Sequence, residues 1–179
     1  MNTSEKPIIF QKGESKDHRG SLEYYNELAL DEFKRFYIVR NQKRGTVRAW
    51  HGHKVESKLI KVVNGIFIIC LIKVDNWEKP SKNIEILEYE FDNNSGLIFV
   101  PPGYANGAMN VTTDSEIMYF SNLSLEESAK DDIRFKSNYW DPWKKYSPEI
   151  YDLIANDRIK NVNHKRYSNQ NFLEEYGIS

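Results

Sequence analysis

The sequence predicts an all-β protein, an antiparallel sandwich or barrel with short helices near its C-terminal end. Three observations carry that expectation. Short alternating or continuously apolar runs recur at intervals of roughly 8–12 residues. Clusters of Gly, Pro, Asn and Asp separate them. The regular strand–helix alternation of parallel βαβ units is not seen.

Taken in order, residues 36–40 (FYIVR) read as a strand, closed by the polar turn 41–45 (NQKRG). Residues 47–53 (VRAWHGH) form the next. In 58–63 (KLIKVV), Leu59, Lys61 and Val63 fall on the face opposite Ile60 and Val62. Asn64-Gly65 follows between two strand-like runs, the strongest short-range signal for a type I′ hairpin, with 66–74 as its returning strand. Further strands are expected at 84–91, 96–100, 108–112 and 117–121, with turns at 92–96, 101–103 and 112–114. Ser124-Leu-Glu-Glu127 has capping-box form and opens a short helix to about residue 131. Ser147-Pro148 places an N-cap ahead of Pro at the first helical position, starting a helix to about residue 161 with Ile150, Leu153, Ile154 and Ile159 on one face. The polar last fifteen residues read as a frayed tail or an arm over a neighbour. With no repeat or linker in 179 residues, one domain over 1–179 is expected.

Composition excludes several classes. With 40% hydrophobic and 13% aromatic residues the chain can build a core, which rules out global disorder. A formal net charge of -1 argues against a nucleic-acid backbone binder. The most apolar stretch, 59–74, is interrupted by Lys61, Asn64, Gly65 and Lys73, so no membrane span is expected. The opening MNTSEKPIIF lacks the pattern of a secretory signal, and Cys70 is the only cysteine, which reads as a buried thiol of a cytoplasmic protein.

The chemistry-bearing segment is Arg48-Ala-Trp-His51-Gly-His53-Lys54. Alternation sends His51 and His53 to one face. Two readings stay open: polar residues on a solvated sheet, or two imidazoles facing a barrel interior. A pair of imidazoles can also begin a metal site. The spacing Gly45-x5-His51-x-His53, then Glu56 and Gly65, approaches the first motif of metal-binding cupins, but the Glu comes early and Asn106 stands where their second motif has His. That leaves too few ligands, and no metal or other cofactor is expected. His18 and His164 read as surface residues.

The run from Val47 to His53, with Lys58-Leu-Ile-Lys-Val-Val-Asn-Gly65 after it, resembles the core of the cupin-fold nucleotide-sugar epimerases, the dTDP-4-dehydrorhamnose 3,5-epimerase family. Asp17-His-Arg-Gly-Ser-Leu-Glu23 is similar to that family's D-x-R-G-x-x-E segment. Phe99-Val-Pro-Pro-Gly-Tyr-Ala-Asn-Gly107 is similar to its I-P-x-G-F-A-H-G-F loop. Tyr119, thirteen residues past Asn106, falls where the family places its catalytic tyrosine. The resemblance covers residues 16–143. It departs where the family's R-G-L-H-x-Q reads Arg48-Ala-Trp-His51-Gly-His53 and where its second histidine is Asn106. The His-x-His-Lys string is also similar to the R-G-x-H-A-H-K of the sugar 3,4-ketoisomerases, which usually lack the Pro-Pro-Gly loop and an element like Trp140-Asp-Pro142.

The resemblance implies a cupin-type double-stranded β-helix, or jelly-roll barrel, with short C-terminal helices, acting on a nucleotide-linked 4-keto-6-deoxy sugar, dTDP-linked above all. Such chemistry needs a base, an enolate stabiliser and an acid on the opposite face. A histidine titrating near neutrality suits the base, and His51 is chosen; Tyr119 suits the acid. Lys58 or Asn106 would stabilise the enolate. Arg48 and Arg19 match the family's phosphate-contacting positions, with Arg19 reaching across a homodimer, and His53 and Glu23 are further substrate-binding candidates. The carboxylate that orients the imidazole is sought among Asp141, Asp75 and Asp152. The competing readings are a 3,4-ketoisomerase, a metal-dependent cupin and a non-catalytic sugar-binding barrel.

Overall fold

The computed structural model describes residues 4–160, the last three by backbone only. The Ile159 side chain, His164 and the last fifteen residues therefore lie outside what is described. The strands are β1 (Ile8–Phe10), β2 (Gly13–Asp17), β3 (Gly20–Tyr24), β4 (Arg35–Asn41), β5 (Val47–His53), β6 (Lys58–Asn64), β7 (Ile66–Lys73), β8 (Leu87–Asp92), β9 (Leu97–Val100), β10 (Tyr104–Asn110), β11 (Ser115–Ser121) and β12 (Ile133–Arg134). Two five-stranded antiparallel sheets, in the orders β1-β9-β6-β11-β4 and β12-β5-β10-β7-β8, face one another, and β2–β3 form a separate hairpin.

The strand expected at 47–53 matches β5 residue for residue, while β10 begins four residues before the expected 108 and β8 three after the expected 84. The Asn64-Gly65 hairpin is not formed. β6 pairs with β9 and β11, whereas β7 pairs with β8 and β10, so the turn carries the chain from one sheet to the other. Gly65 has φ +81, and a Cβ there would lie 2.3 Å from the Ser115 hydroxyl. The Thr112–Ser115 turn packs into the corner, with the Ile66 N–H donating to Thr112 Oγ1 (2.9 Å). With β9 and β11 on its two edges, β6 has no edge left for a returning strand.

The run in β7 explains its destination. Phe67, Ile69 and Leu71 face the space between the sheets, where they meet Ile60, Val62, Ile98, Ala108 and Ile117. Ile66, Ile68, Cys70 and Ile72 face outward and meet a second core of Trp50, Met109, Trp140, Trp143, Tyr146, Ile150 and Ile154. A strand buried on both faces reads as continuously apolar, and each large side chain so buried contributes about 1.5–3 kcal/mol. The outer core is closed by the helix α2 (Pro148–Lys160), preceded by a 3-10 turn at Pro142–Lys145. Ile150 and Ile154 lie on its packed face as expected, but Leu153 is exposed and Tyr151 is buried instead. The short helix α1 (Leu125–Asp131) carries the capping box in full, with Ser124 accepting from the Glu127 N–H and Glu127 accepting from that of Ser124. The Cys70 thiol is buried against Glu88, which pushes its titration up.

Candidate active site

One irregularity in β5 organises the lumen. Asn106 of β10 stands opposite His51, but Ala108 stands opposite Arg48, so three steps along β5 match two along β10. This is a β-bulge, with one residue extra. Val47 and Ala49 pack on the outer core together with Trp50, and Gly52 lies against Trp77 and Phe135 on that side. Arg48, His51 and His53 are thereby all left to the lumen, although strict alternation puts Arg48 on the other face from the histidines.

Behind His53 lies a buried carboxylate. Its Nδ1 is 2.9 Å from Glu56 Oε2, approached off the N–H axis, so the pair is held by proximity more than by alignment. Its Nε2 is 2.8 Å from Lys58 Nζ. Glu56 is 2% exposed and also accepts from the Ser121, Ser128 and Arg35 side chains, at 2.5, 2.8 and 3.3 Å. Burial opposes its ionisation, but the His53 contact, the Lys58 charge and the Ser121 hydroxyl outweigh burial and hold it down at about 2. Burial pulls Lys58 down to about 8 against the opposing pull of Glu56 and Asp132. The 54–57 turn is pinned by Asp131, whose carboxylate accepts the N–H groups of Lys54, Val55 and Glu56 at 3.0, 2.9 and 2.8 Å.

His51 is half-buried. Its Nε2 is 3.2 Å from an Arg134 guanidinium nitrogen and its Nδ1 is 3.8 Å from Asp132 Oδ1. Burial, reinforced by the charges of Arg134 and Lys58, pushes the ring down to about 4 against the pull of Asp132. The value expected near neutrality is thus corrected: the ring is neutral throughout the physiological range. Across the lumen, from the other sheet, Tyr119 lies buried between Tyr37 and Ile60, its ring stacked on Tyr37 at 5.2 Å and 14°. Burial and Tyr37 push its hydroxyl well above the ordinary phenol range, against Arg48. Arg35 caps Tyr37 at 4.9 Å from the ring centroid, and Arg48 donates to Asn41 Oδ1 at 2.8 Å.

His51, His53, Lys58, Tyr119, Arg48 and Asn106 are therefore gathered around one lumen. Asn106 is buried, and its amide donates to the His51 carbonyl at 2.9 Å, which spends that group on joining β10 to β5. Arg19 and Glu23 are not brought there by their own chain. Both sit on the exposed β2–β3 hairpin, Arg19 paired with Asp17 and Glu23 with Lys12. The three carboxylates considered for orienting the imidazole lie elsewhere: Asp75 caps its own loop through Ser81, Asp152 pairs with Arg44, and Asp141 precedes the 3-10 turn. Glu56 serves His53 and Asp132 faces His51 instead. The i,i+3 spacing of His53 and Glu56 at a strand end was available as a signal; nothing in Asp131-Asp132-Ile-Arg134 marked it as a wall of the site. Among the described residues no group of three or more His, Cys, Asp or Glu is arranged to hold a metal ion.

The arrangement offers two imidazoles, an ammonium, a phenol on the facing sheet and three guanidiniums around one cleft, a set suited to moving protons on an anionic substrate. A family model described as dTDP-4-dehydrorhamnose 3,5-epimerase matches residues 5–154. No curated protein matches the chain significantly. Among solved structures, the dTDP-4-dehydrorhamnose 3,5-epimerase of Bacillus anthracis, with TDP and PPi bound, is similar at 20% identity and a TM-score of 0.62, over 79% of this chain and 87% of that one. The WlaRB TDP-quinovose 3,4-ketoisomerase of Campylobacter jejuni is similar at 17% identity and a TM-score of 0.60, over 76% and 98%. QdtA, a sugar 3,4-ketoisomerase of Thermoanaerobacterium thermosaccharolyticum in complex with TDP, matches at 19% identity and a TM-score of 0.58, over 78% and 95%. The two-sheet barrel is the cupin-type double-stranded β-helix expected from the sequence. Among the described residues no helix is long and apolar enough to cross a membrane.

Proposed function

The chain belongs to the dTDP-4-dehydrorhamnose 3,5-epimerase family, and on that premise we propose that it epimerises a dTDP-linked 4-keto-6-deoxy sugar at C3, C5 or both. The observation that carries this reading is that His51 and Tyr119 come from facing sheets. A sugar ring held between them presents one face to a base and the other to an acid, which inversion requires. The C4 carbonyl acidifies the neighbouring hydrogens. His51 Nε2 removes one, the electron pair moves into the carbonyl to form an enolate, and the Lys58 ammonium balances the charge developing on that oxygen. Tyr119 then delivers its proton to the carbon from the other face. Imidazolium and phenolate return to their starting states by exchange with water, so each inversion carries a solvent proton into the product.

The diphosphate would be held by Arg48 and Arg134, with Arg35 behind. Arg19 and Glu23 fit a role in trans: their hairpin is exposed and joined to neither large sheet, and in a homodimer it would reach the partner's cleft. The whole chain, 1–179, would act as one catalytic unit in the cytoplasm, supplying deoxysugar for surface polysaccharide. A 3,4-ketoisomerase is the second reading, favoured by the second imidazole, His53, beside His51.

The test is incubation with dTDP-4-keto-6-deoxyglucose in deuterated water, followed by NMR. Deuterium at C3 or C5 with inversion is the expected result. Accumulation of a 3-keto isomer would assign the protein to the ketoisomerases instead, and an inert protein with stoichiometric bound transition metal would overturn both.

A further inference from the structure

The same guanidinium that lines the cleft also covers the base. Arg134 reaches His51 Nε2 at 3.2 Å while its Nε donates to Asp132 Oδ2 at 2.6 Å. A guanidinium has only donors, so the contact occupies the Nε2 lone pair, the one a base must use. The ring proton then sits on Nδ1, facing Asp132 Oδ1 across 3.8 Å; that oxygen is buried without a hydrogen-bond partner. The Arg134 side chain is 63% exposed, its far end open to an anion arriving from solvent while Nε holds Asp132.

We propose that Arg134 gates the base: it covers His51 Nε2, and the diphosphate of the substrate frees that lone pair by taking the guanidinium as its own partner. This rests on the reading of His51 as the base. Once the guanidinium turns away, Nε2 is open to a substrate proton, and the imidazolium so formed has Asp132 waiting behind it as counter-charge. The other groups acting on His51 are Lys58 from β6 and His53 from β5. Both are tied to Glu56 and stay in place, and burial of the ring is the larger cause, so the part of the change that a ligand can lift is the part carried by Arg134. The device keeps the base idle until a ligand with the right anion is seated, which protects the enolate chemistry from fragments lacking a diphosphate.

The experiment is an NMR pH titration of the His51 imidazole in the wild-type chain and in Arg134→Gln, each with and without inorganic pyrophosphate; it needs no turnover, so it stands apart from the epimerase assay. In the wild type, pyrophosphate raises the His51 midpoint by about one pH unit or more. Arg134→Gln raises it by a similar amount without pyrophosphate and responds little when pyrophosphate is added. A His51 midpoint that stays low in Arg134→Gln, or one that pyrophosphate raises equally in both proteins, overturns the gate.

Discussion

Lys58 Nζ and His53 Nε2 stand 2.8 Å apart inside the barrel, both side chains almost wholly buried. Two N–H donors cannot share one hydrogen bond, so the contact exists only while one of the nitrogens lacks a proton. With Lys58 pulled down to about 8, the ammonium that faces the lumen is held less tightly than an ordinary lysine's and its proton lies within reach of neutral chemistry.

A bell-shaped pH profile follows. His51 must be unprotonated to act as base, so activity rises as pH passes upward through about 4; Lys58 must be protonated to balance the enolate, so it falls above about 8. The values belong to the free protein and are read in kcat/KM. A profile that stays flat well above the Lys58 value would show that its charge is not needed.

The proposed base and acid come from facing sheets, which makes separable variants. His51→Ala is expected to lose both deuterium uptake and inversion, by roughly 10²–10⁴-fold. Tyr119→Phe keeps the base, so hydrogen exchange with retained configuration outlasts inversion. The measurement is the ratio of exchanged to inverted sugar by NMR, and equal loss of both in Tyr119→Phe would remove the phenol from its assigned role.

Glu56 ties the site to stability. It titrates near 4.5 when unfolded and about 2 in the fold, so its contribution is fully present above about 4.5 and disappears as pH falls toward 2. Glu56→Gln is expected to cost on the order of 3 kcal/mol at neutral pH. Urea denaturation at about pH 7 and about pH 3 checks the sign: the deficit shrinks on acidification. An undiminished deficit would mean that packing, not charge, is what Glu56 supplies.

Gly107 sits where the bulge in β5 passes β10, and a Cβ there would lie 2.6 Å from that of Ala49 and 3.0 Å from the Trp143 ring. Gly107→Ala should lower stability by about 1–3 kcal/mol through overpacking, read as a reduced denaturant midpoint. Adding Ala49→Gly should recover part of the loss; an unchanged midpoint in the single variant would show that the two strands can part without cost.

The strands and the histidine pair were legible because each rests on a local signal: period two from His51 to His53 and along β11, and the capping box at Ser124. The misread hairpin at Gly65 shows the limit. Asn-Gly specifies a backbone turn, but which strand lies beyond it is decided by Thr112 and Ser115, nearly fifty residues away. Asp132 and Arg134 were missed for the same reason, whereas Glu56 was noticed only as a metal-motif near-match and not as the partner of His53. The meaning of the first two comes from β12 pairing with β5, and a two-residue strand has no period to read. Arg48 was named through resemblance alone, because the extra residue in β5 reverses the parity that alternation would have assigned it.

The tryptophan wall behind β5 has a consequence for how such a protein changes over generations. Trp50, Trp140 and Trp143 anchor the barrel from its back, on the opposite side of β5 from the lumen-facing His51 and His53. On β5 itself, Trp50 serves the outer core while His51 and His53 face the lumen. Drift among the lumen positions can retune which sugar is accepted, one substitution at a time, while the aromatic backing keeps the chain above the threshold for folding.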